Sequence, residues 1–229
     1  MDEKQERLFK LENEVINCRK CPRLVAWREE VAREKRRAYM EWEYWGKPVP
    51  GFGDPGAQVL VVGLAPGAHG SNRTGRMFTG DSSGDFLYPA LFKAGFANQP
   101  RAVDRQDGLQ LTNMFISAVC RCAPPGNKPK VDEIANCMPY LVSEIDLLSS
   151  LKVIVALGKI AFDHTLRVYR ELSGQKLKFE FKHQGVYKMG DDLPWLVSSY
   201  HPSRQNTQTG RLTEAMFDEV WATVNTLVE

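Results

Sequence analysis

Four short apolar segments constrain the fold of this chain more than any other feature of its sequence. They are Gln58–Gly63, Leu111–Val119, Lys152–Leu157 and Trp195–Ser199. Segments of this length that alternate with helical segments predict a parallel sheet covered on both faces, because such strands are buried on both sides. We therefore expect a single α/β domain. In such a domain, ligands bind beyond the carboxyl ends of the strands.

Helical spacing of apolar residues indicates the segments that cover this sheet. The predicted helices are 2–17, a basic segment from Pro22 to about Trp45, 85–93, 131–151, 160–172 and a closing helix. The closing helix carries one apolar stripe, which we assign to the core: Leu212, Met216, Val220, Val224 and Leu227. Residues 178–189 indicate a hairpin or an irregular strand.

The sequence composition indicates the cellular compartment but says little about binding partners. No apolar run approaches the roughly 20 residues of a membrane span, and the charged N-terminus lacks the apolar core of a signal peptide. We therefore expect a cytoplasmic protein with no membrane association. The net charge is only +2, but eight basic residues and three glutamates lie between Arg19 and Arg37. A solvated helix face is the commoner explanation of such a run, and a phosphate-binding face is the other.

Five cysteines predict a metal site rather than disulfides, because disulfides are rare in cytosolic proteins. Cys18 and Cys21 supply two thiolates from one turn, and Cys122 and Cys137 supply two more. Four thiolates suit either a structural zinc ion or a [4Fe–4S] cluster, and their spacing does not choose between the two. Strand alternation places Cys120 in the core instead of Cys122. Five buried free thiols remain the third alternative.

The loop from Gly63 to Gly84 contains a near match to a phosphate-binding loop. It has Arg76 and Met77 where that motif requires lysine and a hydroxyl residue, so a nucleotide-triphosphatase function fails on chemistry. Its glycines instead let backbone N–H groups approach a flat polar ligand. Phe78 can stack on that ligand, or belong to the core. Asp81 stands before a helix, where it can act in catalysis or simply cap that helix.

A second polar loop, Tyr200–Gly210, leaves the last predicted strand. A histidine at this position, His201, faces the first loop across the sheet edge, which favours a functional role. Polar residues after it, including Arg204 and Gln205, can reach into a DNA groove. An ordinary solvated loop is the alternative.

These motifs resemble those of family-five uracil-DNA glycosylases, the B-type enzymes of bacteria and archaea. The resemblance rests on GLAPGAHGSNRTGRMFTGD at 63–81, HPSRQNTQTG at 201–210, CRKCPRL at 18–24 and CAPPGNKP at 122–129. It covers nearly the whole chain and implies a three-layer α/β/α fold with a central four-stranded parallel sheet. It also implies a single glycosylase domain, 1–229, whose N-terminal segment 1–47 is tied down by a [4Fe–4S] cluster on Cys18, Cys21, Cys122 and Cys137. Cys120 lies outside the pattern.

The resemblance implies a role for each residue of the candidate site. The catalytic residues are Asp81, His201 and Asn127. The base-binding residues are Gly63, Ala65, Gly67 and Phe78, and the DNA-binding residues are Arg204, Gln205 and Arg76. Ala118 stands where the wider superfamily commonly has an asparagine that recognises uracil.

The implied reaction is hydrolysis of the N-glycosidic bond of a flipped, deaminated base. Because Ala118 removes one hydrogen-bond filter, we expect hypoxanthine and other damaged bases to be substrates beside uracil. The implied partner is double- or single-stranded DNA, bound by a monomer. A non-catalytic iron–sulfur protein that binds DNA or senses damage is the alternative, but Phe78, Asp81 and His201 argue against it.

Overall fold

The computed structural model describes residues 3–229, so the first residue of the predicted helix 2–17 lies outside the described range. The strands are β1 (Phe52–Gly53), β2 (Val59–Gly63), β3 (Met114–Ala118), β4 (Val153–Leu157), β5 (Gly185–Lys188) and β6 (Trp195–Ser199). The α-helices are α1 (Glu3–Ile16), α2 (Pro22–Glu34), α3 (Ser71–Thr74), α4 (Ser82–Lys93), α5 (Val131–Leu147), α6 (Lys159–Ser173), α7 (Arg204–Gln208) and α8 (Glu214–Val228). Two 3₁₀ turns, Arg37–Tyr39 and Pro125–Asn127, complete these elements.

Within residues 3–229, the sheet has six strands in the order β1-β3-β2-β4-β6-β5. Its four central strands are parallel, as predicted. The predicted number of four strands is too low, because β1 and β5 add an antiparallel strand at each edge. The two-residue β1 lies in a loop dense in proline and glycine, where no alternation of apolar residues marks a strand. β5 lies in the segment predicted to form a hairpin or an irregular strand.

Helices cover both faces of the sheet and form the three layers. On one face, α4 and α8 contribute Leu87, Phe217 and Trp221 to a core with alternate residues of the strands. On the other face, α5 and α6 contribute Leu141 and Phe162. The apolar stripe of α8 packs into the first core, as its helical spacing predicts. The α/β fold class is therefore confirmed.

The second helix is shorter than its apolar and basic pattern predicts. It ends at Glu34 instead of Trp45, because Lys35 adopts a left-handed backbone with φ of 55°. The chain then makes the 3₁₀ turn Arg37–Tyr39 and runs on to contact α3, where the N–H of Trp45 donates to the carbonyl oxygen of Arg73 at 2.9 Å. This contact places the end of the N-terminal segment against the first polar loop.

Within residues 3–229, no helix has both the length and the apolar character needed to cross a membrane.

Candidate active site

A cavity of about 690 Å³ lies at the carboxyl edge of the parallel strands. Both polar loops that the sequence singles out contribute to its wall. The residues that line it and that the sequence also singles out are Gly63, Ala65, Gly67, Phe78, Asp81, Ala118, Asn127, His201, Arg204 and Gln205. The structure therefore brings together all the predicted catalytic and base-binding residues, and two of the three predicted DNA-binding residues.

The floor of this cavity consists of two of the smallest residues in the protein. Gly63 ends β2 and Ala118 ends β3, and the two are paired in register. A Cβ atom on Gly63 would lie 2.7 Å from the Cζ atom of Phe78, so a side chain there would displace the Phe78 ring. Glycine at this position therefore keeps the ring against the floor of the cavity.

Phe78 is held by its backbone in the left-handed region, with φ of 52°, which is uncommon for a residue other than glycine. Three side chains fix the turn around it by donating to its neighbours' carbonyl oxygens. Tyr88 donates to Met77 at 2.8 Å, Thr74 to Thr79 at 3.1 Å and Arg73 to Gly80 at 2.8 Å. The Phe78 ring is consequently a fixed wall of the cavity.

Asp81 caps α4 and faces the cavity at the same time. Its Oδ1 atom accepts hydrogen bonds from the N–H groups of Ser83 and Gly84 at 3.0 and 3.3 Å. Its Oδ2 atom lies against the backbone of Gly67 and Gly70, where a Cβ atom would come within 2.7 and 2.1 Å of it. Burial raises the pKa of Asp81 above its usual value, although the two N–H groups lower it in part. Capping and a role in the cavity are therefore compatible.

His201 follows β6 and faces Phe78, with 5.9 Å between the ring centroids. Burial lowers the pKa of His201 to about 4, so the imidazole is neutral at physiological pH. Among the described residues, no side chain or backbone group hydrogen-bonds its ring nitrogens, while its carbonyl oxygen accepts from Asn206 at 2.8 Å. A neutral ring of this kind retains one N–H donor for a ligand.

The rim of the cavity is exposed and polar. Asn127 lies in the 3₁₀ turn after β3, and Arg204 and Gln205 begin α7. Ile160, 46% exposed, also lies at this rim and was missed in the sequence, where it looks like an ordinary helix residue. Its position at the start of the helix that follows β4 could have identified it, since ligands bind at the carboxyl ends of parallel strands.

Arg76 lies apart from this rim, and its surroundings argue against the predicted contact with DNA. Its side chain is buried and donates to both carboxylate oxygens of Asp107, at 2.8 and 2.6 Å, and to Thr79 at 3.0 Å. Although burial alone would raise it, the hydrogen bonds from Arg76 and from backbone N–H groups lower the pKa of Asp107 to about 2. The guanidinium is thus used in holding the loop.

Among residues 3–229, no cysteine lines this cavity. Cys21 and Cys122 pack around Leu24, and the Nη1 atom of Arg28 donates to the Cys122 sulfur at 2.8 Å. Cys137 lies on α5. Within residues 3–229, no group of three or more His, Cys, Asp or Glu side chains is arranged to hold a single metal ion.

Comparison with known proteins identifies the family. Residues 50–225 match the Uracil DNA glycosylase superfamily. The chain is 51% identical to the type-5 uracil-DNA glycosylase of Thermus thermophilus, over 89% of this chain and 90% of that relative. It is 50% identical to the type-5 enzyme of Mycobacterium leprae (92% and 91%) and 43% identical to that of Pyrobaculum aerophilum (91% and 88%). The chain therefore belongs to the uracil-DNA glycosylase superfamily and, within it, to the type-5 family.

Proposed function

We propose that this protein excises uracil from DNA by hydrolysing the N-glycosidic bond of a flipped nucleotide. One observation carries the proposal: a single cavity holds the fixed ring of Phe78, the neutral ring of His201 and the carboxylate of Asp81. The target base leaves the duplex at a cost of a few kcal/mol, which a mispaired base reduces. Stacking on Phe78 would return about 1–3 kcal/mol of that cost.

His201 acts on the leaving base. Cleavage of the bond leaves negative charge on the base, and hydrogen-bond donors already aimed at the developing charge lower the barrier. A neutral imidazole has one ring N–H and can donate one such bond. Because its ring centroid lies 5.9 Å from that of Phe78, this donor would lie close to a base stacked on Phe78.

Asp81 acts on the sugar side of the bond. The N–H groups on Oδ1 fix the orientation of the carboxylate, while its other oxygen lies along the glycine backbone of the cavity wall. When ionised, it stabilises the cationic sugar or takes a proton from the attacking water, a contribution typically of ~10²–10⁴-fold in rate. Asn127, at the rim, supplies a further polar group.

The floor of the cavity supports a broad substrate range. An asparagine at position 118 would offer donors and acceptors that match only some bases, and a buried polar group left unmatched discriminates strongly. The methyl group of Ala118 and the backbone of Gly63 impose no such match. We therefore extend the proposal to hypoxanthine and other damaged bases.

The same proposal assigns a [4Fe–4S] cluster to Cys18, Cys21, Cys122 and Cys137. Arg28 supports it, because its guanidinium is 2% exposed and donates to the Cys122 sulfur and the Cys18 carbonyl oxygen. A buried cation requires negative charge nearby. The exposed Glu29 lies 3.9 Å from Arg28 but is already paired with Arg19, and iron-bound thiolates would supply the remaining charge. Four thiolates bound to four iron atoms also lie farther apart than the ligands of one ion.

When bound, the cluster would supply four iron–thiolate bonds that join segment 1–47 to the turn after β3 and to α5, within one domain. Iron and sulfide analysis of Cys122→Ser and Cys120→Ser tests this assignment. We expect Cys122→Ser to lose iron and Cys120→Ser, the matched control outside the set, to keep it. Equal iron content in both variants would contradict the assignment.

DNA contacts are assigned to Arg204 and Gln205, which are exposed at the rim, with a monomer as the acting species on double- or single-stranded DNA. Arg76 is left out of this set because its guanidinium is already paired with the Asp107 carboxylate.

The experiment that tests the proposed function uses purified, iron-loaded protein and end-labelled duplexes. One duplex contains uracil, one contains hypoxanthine and a third is undamaged. Alkali then converts abasic sites into strand breaks. We expect breaks at both damaged bases and none in the undamaged duplex. Folded protein that binds DNA without forming abasic sites would instead favour the non-catalytic damage sensor.

A further inference from the structure

A second cleft, of about 710 Å³, lies on the other side of α3 from the base cavity. Ser71 of α3 lines the base cavity, whereas Arg73 and Thr74 of the same helix line the cleft. Its remaining wall is mainly aromatic and basic, with Trp42, Trp45, Lys47 and Arg105. We call it the tryptophan cleft, defined by Trp42, Trp45, Lys47, Arg73 and Arg105.

The cations of the tryptophan cleft are stacked on aromatic rings. The guanidinium carbon of Arg73 lies 3.9 Å from the ring centroid of Tyr39 and 4.0 Å from that of Trp42. That of Arg105 lies 4.2 Å from the Trp45 centroid. Stacking fixes the plane of the exposed Arg105 guanidinium while its N–H edge stays available for hydrogen bonds to phosphate. Arg73 instead donates from Nε and Nη2 to the carbonyl oxygens of His69 and Gly80, at 2.8 Å each, and holds the wall of the cleft. The Nη1 atom of Arg73 is buried and has no hydrogen-bond partner among residues 3–229.

Gly75 leaves the space that the side chains of Arg105 and Trp45 occupy. A Cβ atom on Gly75 would lie 2.6 Å from the Cδ atom of Arg105 and 2.9 Å from the Cδ2 atom of Trp45. Glycine therefore allows both side chains to pack against the chain directly after α3. The N–H of Gly46 also donates to the Asn72 carbonyl oxygen at 3.0 Å, which attaches the segment carrying the tryptophans to α3.

The charge in the cleft favours an anionic ligand. Lys47 is exposed and forms no ion pair within residues 3–229, and Arg105 has only a 3.7 Å contact with the part-exposed Glu12. Two acids, Glu43 and Asp104, also line the cleft. Asp104, however, already accepts a hydrogen bond from a backbone N–H within its own turn.

We propose that the tryptophan cleft binds the DNA strand that continues from the flipped nucleotide, an inference that rests on the proposed function. Lys47 and Arg105 contact its phosphates and the partly exposed tryptophans contact its bases, the combination used for single strands. A helix with its side chains is roughly 10 Å wide, which corresponds to about three nucleotide steps of ~3.4 Å. The strand therefore reaches the cleft about three nucleotides from the damaged base.

The test compares two double variants of the iron-loaded protein. Lys47→Gln with Arg105→Gln removes two cations from the cleft. Lys176→Gln with Lys178→Gln is the matched control, because both lysines are exposed between α6 and β5 and neither lines the cleft. All four side chains are exposed, so we expect unchanged melting temperatures.

The first readout is the affinity for a fluorescent, uracil-free single strand. We expect the cleft variant to bind about tenfold more weakly than the wild type. The slope of log K against log salt should fall by about 1.4, since each phosphate contact on a single strand contributes about 0.7. The control should match the wild type. Equal affinities and slopes in all three proteins would overturn the inference.

The second readout uses uracil strands that end next to the uracil on one side or the other. We expect the cleft variant to have a lower kcat/KM than the wild type on the full strand, with kcat unchanged. This defect should disappear on the truncated strand that lacks the side bound by the cleft. A defect that persists on both truncated strands would also overturn the inference. If the wild type excises no uracil at all, the proposed function fails, while the first readout still tests the cleft.

Discussion

Asp81 and Asp107 are two largely buried carboxylates with opposite surroundings. Asp107 accepts two hydrogen bonds from the Arg76 guanidinium, so its charge is neutralised and its pKa falls to about 2. Asp81 accepts only two N–H groups on one oxygen and has no cation in hydrogen-bond contact within residues 3–229, so burial raises its pKa. One carboxylate holds the loop in place, and the other keeps its charge available at the edge of the cavity.

This difference separates a paired charge from an unpaired one within one stretch of chain. A buried ion pair with good geometry keeps its partners fixed, and removing one partner leaves the other uncompensated. A buried carboxylate without a cation destabilises the fold but acts strongly on any positive charge that develops near it. The comparison predicts that the same substitution, aspartate to asparagine, has different consequences at the two positions.

The largest expected effect is on catalysis. Asp81→Asn should lower the single-turnover rate of uracil excision by ~10²–10⁴-fold, because the amide can still cap α4 but carries no negative charge. Burst kinetics with excess enzyme on a uracil duplex measure this rate. Full activity in the folded variant would reduce Asp81 to a helix cap.

Asp107→Asn should instead act on stability. It leaves the Arg76 guanidinium buried without a counter-charge, which typically costs about 3–5 kcal/mol of unfolding free energy. Urea denaturation measures this loss, with Asp104→Asn as a control in the same loop. A loss of less than about 1 kcal/mol, the range of exposed pairs, would show that the pair contributes no more than a surface contact.

The third effect concerns pH. Folding lowers the pKa of His201 to about 4. As pH drops below the ordinary pKa of histidine, His201 therefore takes up a proton in the unfolded chain before it does so in the folded protein. Stability from His201 is therefore present above that value and is lost as pH falls toward 4. After allowance for partial exposure, we expect a loss of at most about 2 kcal/mol. His201→Gln should flatten the pH profile of denaturation, and an unchanged slope would contradict the assigned burial.

A smaller effect is expected on the unfolding free energy, through the raised pKa of Asp81. A carboxyl whose pKa is raised on folding stabilises the protein while protonated, and this contribution is lost as pH rises through the folded pKa. Asp81→Asn should therefore be more stable than the wild type at neutral pH, by about 1.4 kcal/mol for each tenfold decrease in the acid dissociation constant on folding. The gain should vanish in acid. Parallel melting curves at acidic and neutral pH measure it.

The smallest expected effect belongs to the exposed rim. Arg204→Ala should weaken DNA binding by about fivefold and reduce its salt slope by about 1, since an exposed arginine contributes one phosphate contact. Arg76→Met serves as the comparison, and its folded fraction should bind DNA normally. If Arg76→Met alone weakened binding, the two roles would be reversed.

The central strands and the meeting of both loops at one cavity were predictable, because buried parallel strands have continuous apolar runs and their carboxyl ends share an edge. The edge strand β1 was not, since Phe52–Gly53 is only two residues long. The role of Arg76 was also hidden, because its partner Asp107 is 31 residues away in a loop without periodicity. Nor does any pattern show that Lys35 ends α2 and leaves Tyr39 and Trp42 to enclose Arg73.

The fixed backbone of Phe78 has a consequence for the search along undamaged DNA. A glycosylase must sample a vast excess of normal bases, and a ring that had to be ordered on each encounter would add an entropic penalty every time. Here the turn is already locked by the three donors on its carbonyl oxygens. We therefore expect the frequency of productive encounters to depend on how readily each base leaves the helix, a property of the DNA lesion rather than of a moving part in the enzyme.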